Sequence, residues 1–442
     1  MVLPEYVLRC MERLKGAGFS VYAVGGCVRD SLLGLTPHDY DLCTDAFPEQ
    51  MRSLFSDFPL ITNGEKHGTI GVILGNNVVE ITTFRTESGY ADRRHPDSVS
   101  FVSDIREDLA RRDFTVNAMA FSPEEGYLDP FGGQADLKNK HLVAVGDPKL
   151  RFREDALRIL RGVRFAVKYQ LSPEPETLSA MIALAPLMDA LARERVFDEL
   201  NKLLPIITAE DLLQYAPVIT QVLPELAPTV GFLQHSPHHE FDVFTHIAKV
   251  VEAVPEDPAI RWAALFHDTG KPRCFTMGED GIGHFYGHAD ISARLAEQAL
   301  TRLKAPTALR EQAVFLIRHH MHFLEPEKKQ LRRALSKYGE DALRQLLKLQ
   351  RADHGGKGNA SQSTALFDQL DALLSEILQE EACLNLKDLA VSGADLIEIG
   401  FAPGKDLGAC LQRLLEQVLE ETLPNDREKL LGYAKDILEE IK

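Results

Sequence analysis

The period of the hydrophobic pattern divides this chain in two. Over residues 1–145, short β-rich runs alternate with helical stretches. Val21-Tyr22-Ala23-Val24 runs into Gly25-Gly26, Gly71-Val72-Ile73-Leu74 ends in Gly75-Asn76-Asn77, and residues 78–84 alternate as a half-buried strand does. This pattern predicts an α/β head, a mixed β-sheet with helices. From about residue 151 strand signals nearly vanish and 3.6-residue periods dominate, so the remainder is expected to be all-α. A polar, glycine-rich stretch at 354–364 (HGGKGNASQST) interrupts these helices and reads as a linker. The modules expected are a head at 1–145, a helical neck at 146–225, a body at 226–358 and a helical tail at 359–442.

Composition agrees with several modules, since 442 residues exceed one ordinary core. With 45% hydrophobic and 26% charged residues and no apolar run of bilayer length, the chain reads as soluble and not membrane-bound. Met1-Val2-Leu3-Pro4-Glu5 has no basic or apolar export signal, so a cytoplasmic location is expected. Six cysteines without a C-x-x-C pair argue against a zinc ribbon or a disulfide framework and are expected to be plain thiols. A net charge of −17 counts against non-specific polynucleotide binding. A nucleic-acid partner would therefore need a locally basic channel, which the neck arginines are expected to form.

The head carries two dense segments. Gly25-Gly26-Cys27-Val28-Arg29-Asp30 follows a strand and opens a helix, so its glycines let a triphosphate approach backbone amides and Arg29 can reach an anion. His38-Asp39-Tyr40-Asp41-Leu42 places two carboxylates on one face if it is a strand. Like charges that close call for a cation, and phosphoryl transfer uses Mg²⁺ to gather a triphosphate and an attacking hydroxyl. Glu80 becomes a third carboxylate if its strand lies beside Asp39 and Asp41. An isolated D-x-D is ordinarily a solvated strand edge, and its neighbours here change that balance. In the second segment, 108–120, Arg112 can hold a phosphate while Asp113 and Asn117 meet ribose hydroxyls, the alternative being a capped helix start.

Residues 151–166 read as one helix, with Ile159, Leu160, Val163 and Val167 in one sector, Asp155, Arg158 and Arg161 in another and Arg164 at its edge. A solvated, ion-paired face is one reading. The other is a protein reader of bases. Cytosine and adenine both offer an amino donor beside a ring-nitrogen acceptor, whereas uracil and guanine offer a carbonyl beside an N–H. Asp155 with Arg158 matches the first pair and mismatches the second.

These segments resemble the bacterial class II CCA-adding tRNA nucleotidyltransferases of the polymerase β superfamily. The resemblance rests on Gly25-Gly26-x-Val-Arg-Asp with Asp39-x-Asp41, Thr83-Phe84-Arg85-Thr86-Glu87 with the later His95-Pro96, Arg111-Arg112-Asp113-Phe-Thr-Val-Asn117, Glu154-Asp155-Ala-Leu-Arg158, and Glu194-Arg195 with Glu199-Leu200. It implies that Asp39 and Asp41 bind Mg²⁺, that Gly26, Arg29 and Arg112 help hold the nucleotide, that Asp155 and Arg158 read the base, and that Arg161 and Arg164 meet the triphosphate. Substrates would be CTP, ATP and the tRNA 3′ end. Bacterial poly(A) polymerases and A-adding relatives share the head and remain alternatives. The flexible loop that separates full CCA addition from CC addition would lie at 85–96.

Past the neck, the apolar run 260–266 ends in His267-Asp268-Thr269-Gly270-Lys271-Pro272. With His246, His288, His320 and Asp353 it resembles an HD metal-dependent phosphohydrolase domain. The resemblance implies one metal on His246, His267, Asp268 and Asp353, and a second completed by His288 and His320. Imidazoles and carboxylates suit Mn²⁺, Ni²⁺, Fe²⁺ or Zn²⁺, which can activate water toward a phosphate ester. In the tail, Ser392-Gly393 and Pro403-Gly404-Lys405 each read as opening a helix, and such turns can take an RNA phosphate.

Overall fold

The computed structural model describes residues 1–88, 98–236, 240–358, 364–380 and 383–441. It forms two compact units, Met1–Ala227 and Pro228–Lys442. In the first, α1 (Glu5–Gly16) buries Val7, Cys10, Met11 and Leu14, one face at helical spacing. The wholly buried β1 (Val21–Val24) turns at Gly25, whose φ of 72° suits glycine, into α2 (Gly26–Leu32). β2 (Asp41–Thr44), α3 (Pro48–Leu54), β3 (Leu60–Ile61), β4 (Thr69–Leu74) and β5 (Asn77–Thr83) follow. β4 and β5 form a tight hairpin closed by Leu74↔Asn77, with Gly75 at positive φ in the turn. β6 (Arg85–Ser88) pairs β7 (Ser98–Phe101) as a separate hairpin, and most of the expected loop at 85–96 lies outside the described residues. After α4 (Ile105–Ala110), β8 (Ala120–Ser122) and β9 (Gly126–Leu128) complete a seven-stranded sheet of order β3-β4-β5-β2-β1-β8-β9. Only the β2–β5 pair in it is parallel.

α5 (Gly133–Asn139) leads to the neck, where the structure corrects one expectation. Residues 151–166 form two helices, α6 (Pro148–Glu154) and α7 (Leu157–Tyr169), because Asp155 is extended at φ −139°, ψ 105°. Its carboxylate accepts the Leu157 N–H at 3.0 Å, a local bond that competes with helix continuation. Asp155 therefore does not share a helical face with Arg158. α8 (Pro175–Leu184), α9 (Arg193–Leu203), α10 (Ala209–Gln214) and α11 (Ala216–Val222) finish the unit. Phe114 packs against Phe152 of α6 and Phe165 of α7, fastening head to neck.

The second unit is built on α12 (Val243–Ala253), α13 (Pro258–Phe266), the short α14 (Lys271–Cys274), α15 (His288–Arg302), α16 (Thr307–His319), α17 (Lys328–Tyr338) and α18 (Glu340–Gly355). Every residue of α13 from Ala259 to Phe266 is buried, as its near-continuous apolar run requires of a central helix. α18 continues through His354 and Gly355, so the interruption starts later than expected; α19 (Thr364–Gln379) follows it. α20 (Gly393–Glu398), α21 (Lys405–Leu419) and α22 (Arg427–Ile441) close around their own core of Leu396, Leu414, Leu430 and Ile437. All six cysteines are free, and none of the described helices is long and apolar enough to cross a membrane.

Candidate functional site

Strand register assembles the head site. Val24 pairs with Asp41, and Asp41 pairs in parallel with Glu80, so the row of carboxylates begins one residue before the Gly25-Gly26 turn. Asp39 stands just before β2, exposed like Asp41 and Glu80. Although Asp41 keeps solvent contact, protein crowding around its carboxylate, then the charges of Asp39 and Glu80, push its pKa up to about 6 against the pull of Arg112. Sequence pattern alone left Glu80 conditional, and the parallel strand pair settles its position.

Of the two turn glycines, Gly25 is the more constrained. A Cβ there would lie 2.6 Å from Arg112 Nη1, whereas one at Gly26 would meet only Arg29 Nη2 at 3.6 Å. Arg112 thus lies directly against the turn, held by the fully buried Asp108 at 3.4 Å, which also pairs with Arg111 at 2.8 Å. Asp108 was another omission; its spacing of three and four residues from the two arginines was the available signal.

Arg29 lies beside Gly26 but is engaged by its own partners. It is 5% exposed, donates to Asp30 at 2.7 Å, to Asn117 Oδ1 and to the Tyr169 hydroxyl at 2.5 Å, and stacks over the Tyr169 ring. Asn117 in turn donates to Asp113 at 3.0 Å, and Asp113 accepts from Arg161 at 2.9 Å. Burial opposes ionisation of Asp113, but Arg161, the Asn117 hydrogen bond and Arg158 outweigh it and hold the carboxyl well below its ordinary value. Arg29, Asn117, Asp113 and the half-exposed Arg161 therefore form a polar chain from α2 to α7.

The remaining neck residues are also paired. Asp155 meets Arg195 of α9 at 2.8 Å, Arg158 meets Glu154 at 2.9 Å and donates to the Arg111 carbonyl at 3.0 Å, and Arg164 meets Glu199 at 2.6 Å. The neck arginines expected to form a basic channel thus lie beside carboxylates here, Glu154 being shared by Arg151 and Arg158. The Glu154–Arg158 pair is one that the ion-paired reading of this segment expects, whereas Glu199 and Arg195 had been noted only within motifs.

In the second unit, α12, the end of α13, the start of α15, the end of α16 and α18 converge on six buried groups. Ligand atoms of His246, His267, Asp268 and Asp353 lie within 4.8 Å of one another, as do those of Asp268, His288 and His320. The Nδ1–H groups of His267, His288 and His320 donate to the carbonyls of Ala264, Phe285 and Ile317 at 2.8, 2.8 and 2.6 Å. That assignment leaves the Nε2 lone pairs facing inward. His246 and His267 Nε2 lie 3.2 Å apart, and so do His288 and His320 Nε2. Burial lowers the His320 pKa to about 3, so that ring is neutral. With both their Nδ1–H groups committed, His288 and His320 cannot bond one another through Nε2, and a cation beside them resolves that conflict; His246 Nε2 also lies 3.0 Å from Asp353 Oδ1. Lys271, three residues past Asp268, lies 2.7 Å from its carboxylate.

Three protein-family models match: "Poly A polymerase head domain" over residues 21–143, "Probable RNA and SrmB- binding site of polymerase A" over 170–228, and "tRNA nucleotidyltransferase domain 2 putative" over 275–434. A CCA-adding enzyme of Streptococcus suis is 34% identical over 440 residues, 98% of this chain and 97% of that protein. The corresponding enzyme of Levilactobacillus brevis is 34% identical over 431 residues, 96% of each. Among solved structures, the Bacillus stearothermophilus CCA-adding enzyme in complex with CTP matches with a TM-score of 0.69 at 27% identity over 98% of both chains. The Thermotoga maritima enzyme complexed with tRNA_CCA shares the fold, with a TM-score of 0.59 at 20% identity over 100% of this chain and 97% of that one.

Proposed function

This chain belongs to the CCA-adding enzymes, a family of tRNA nucleotidyltransferases, and from that premise we propose how its residues divide the work. The reaction adds or repairs the 3′-terminal CCA of tRNA from CTP and ATP without a nucleic-acid template. The tRNA 3′ oxygen bonds to the α-phosphorus as the bond to the β-phosphate breaks and pyrophosphate leaves. The observation that carries the reading is the register aligning Val24, Asp41 and Glu80 beside the Gly25-Gly26 turn. Oxygen donors at Asp39, Asp41 and Glu80, with Asp41 made hard to ionise by protein crowding and then by its like-charged neighbours, suit a hard divalent cation. Bound there, Mg²⁺ supplies the positive charge that gathers the triphosphate and favours ionisation of the attacking hydroxyl.

The Gly26 amide and the Arg112 guanidinium hold the triphosphate, the Gly25 amide being donated to the Met119 carbonyl at 3.2 Å. Arg29, Asn117, Asp113 and Arg161 brace the turn against α7, and Arg161 and Arg164 meet the triphosphate from the neck. Asp155 and Arg158 read the base. To do so they exchange Arg195 and Glu154 for the amino donor and ring-nitrogen acceptor of C or A. Uracil or guanine leaves both charged groups mispaired, and the lost pairing is the source of selectivity. The Asp41→Ala variant is expected to lose nucleotide addition while keeping the metal content of the second unit. Addition that survives the substitution would sink the assignment.

The inward-facing Nε2 atoms support a second reading for the body. The cluster suits a divalent transition metal such as Mn²⁺, Ni²⁺, Fe²⁺ or Zn²⁺, which supplies an activated water for phosphate-ester hydrolysis. Hydrolysis of 2′,3′-cyclic or 2′-phosphates would prepare damaged tRNA ends for addition. The module limits 1–145, 146–225, 226–358 and 359–442, with tRNA held by the tail, belong to the same proposal, as does a cytoplasmic location. Of the two tail turns, Ser392 and Asp395 already cap each other at α20, where Arg427 pairs with Asp395 at 2.7 Å. The start of α21 has no side-chain cap, which favours Lys405 and its turn as the phosphate contact.

A further inference from the structure

Asp108 lies in α4 with no solvent exposure, where a charge is strongly disfavoured unless partners satisfy it. Its two oxygens serve different partners. Oδ1 accepts from Arg111 Nη2 at 2.8 Å and Nε at 3.1 Å, and from the Arg85 backbone N–H at the start of β6 at 3.3 Å. Oδ2 accepts from Arg112 Nη2 at 3.4 Å and from Cys43 Sγ, on the strand of Asp41, at 3.7 Å. Burial opposes ionisation of this carboxyl, but the two arginines outweigh it and hold its pKa below the ordinary value.

From this anchor the two arginines reach different parts of the first unit. Arg111 is held by both of its short bonds to Oδ1, and its carbonyl accepts from Arg158 Nη2 at 3.0 Å. Arg112 is held more loosely. Its Nη1 reaches the Asn117 carbonyl at 3.4 Å, and its Nε is buried without a partner among the described residues. The same Nη1 would lie 2.6 Å from a Cβ at Gly25. A guanidinium with donors to spare beside the phosphate turn is placed to take an anion that arrives later. We infer that Asp108 is a positioning residue for nucleotide addition: by fixing the turn 108–112 it sets Arg112 against the phosphate turn and Arg158 at the base. The inference rests on the reading of Arg112 and Arg158 given above. Asp108 touches no substrate, so its effect passes through the two arginines. A displacement of about 1 Å in such a site costs up to about 100-fold, so a buried carboxylate controls binding and selectivity without contact.

The test measures single-nucleotide addition to a tRNA transcript ending before CCA. Asp108→Asn, nearly isosteric and uncharged, is expected to raise the KM for CTP roughly tenfold, keep kcat within about threefold and lower the preference for CTP over UTP roughly tenfold. A purely structural role would lower the thermal midpoint and the active fraction but leave KM and preference as in wild type, and that result overturns the inference. If Asp108→Asn does not fold, Asp108→Glu carries the same test, because it keeps the charge and displaces it by one methylene. Its KM and preference should change in the same direction, and wild-type values for both overturn the inference. A double-mutant cycle checks the route. Asp108→Asn should add nothing to the KM of Arg112→Ala, whereas additive effects overturn the relay through Arg112. Failure of the underlying reading looks different: Arg112→Ala with a wild-type KM removes Arg112 from triphosphate binding, and this inference with it.

Discussion

At the start of β2, Asp41 has a carboxylate that the fold makes hard to ionise. Crowding by protein, then Asp39 and Glu80, raise its pKa from 3.8 to about 6. Between those values the folded state holds a proton that the unfolded state has released, so this group's stabilising effect is present at low pH and is lost as pH rises toward 6. In EDTA, Asp41→Asn is therefore expected to raise the thermal midpoint at pH 8, with the gain vanishing below about pH 4. Added Mg²⁺ should raise the midpoint of the wild type and not of the variant. An Asp41→Asn midpoint equal to or below wild type at pH 8 would refute this electrostatic account. The D-x-D pair was legible because two carboxylates lie close in sequence. The position of Glu80 was not, because parallel pairing joins strands that no local pattern connects.

Between α6 and α7 the chain breaks where periodicity expects continuity. Apolar spacing reports which residues face a core and is blind to an aspartate whose side chain captures the next turn's amide, as Asp155 does for Leu157. The break separates Asp155 from Arg158 and gives each its own partner, Arg195 and Glu154. Asp155→Ala is expected to reduce discrimination of CTP over UTP roughly 10–100-fold, read from single-nucleotide addition rates. Unchanged selectivity would remove Asp155 from base reading. On the same helix, a Cβ at Gly162 would sit 2.9 Å from the Phe114 ring and 3.2 Å from Met181. Gly162→Ala should thus destabilise the first unit by about 1–3 kcal/mol in urea unfolding followed by circular dichroism. Helix propensity alone predicts a gain of about 1 kcal/mol, so the sign decides between them.

Over the whole molecule, a net charge of −17 stands against an RNA substrate, and the expected remedy was a basic neck. Arg158, Arg161 and Arg164 meet Glu154, Asp113 and Glu199, so RNA phosphates would compete with these carboxylates for them. The Glu154–Arg158 pair was legible from its spacing of four residues, but Asp113 and Glu199 were not, because they lie far from α7 in the sequence. The body's ligand order was legible because His267-Asp268 closes an apolar helix, yet only the structure turned the Nε2 atoms toward each other. The account as a whole claims stepwise, template-free synthesis by the head and neck. Three tRNA transcripts, ending before CCA, after its first C and after CC, each offered CTP alone or ATP alone, test this most directly. The account predicts C addition to the first two and a single A to the third; A addition to the CC end with no C addition anywhere, or long A tails, would contradict it.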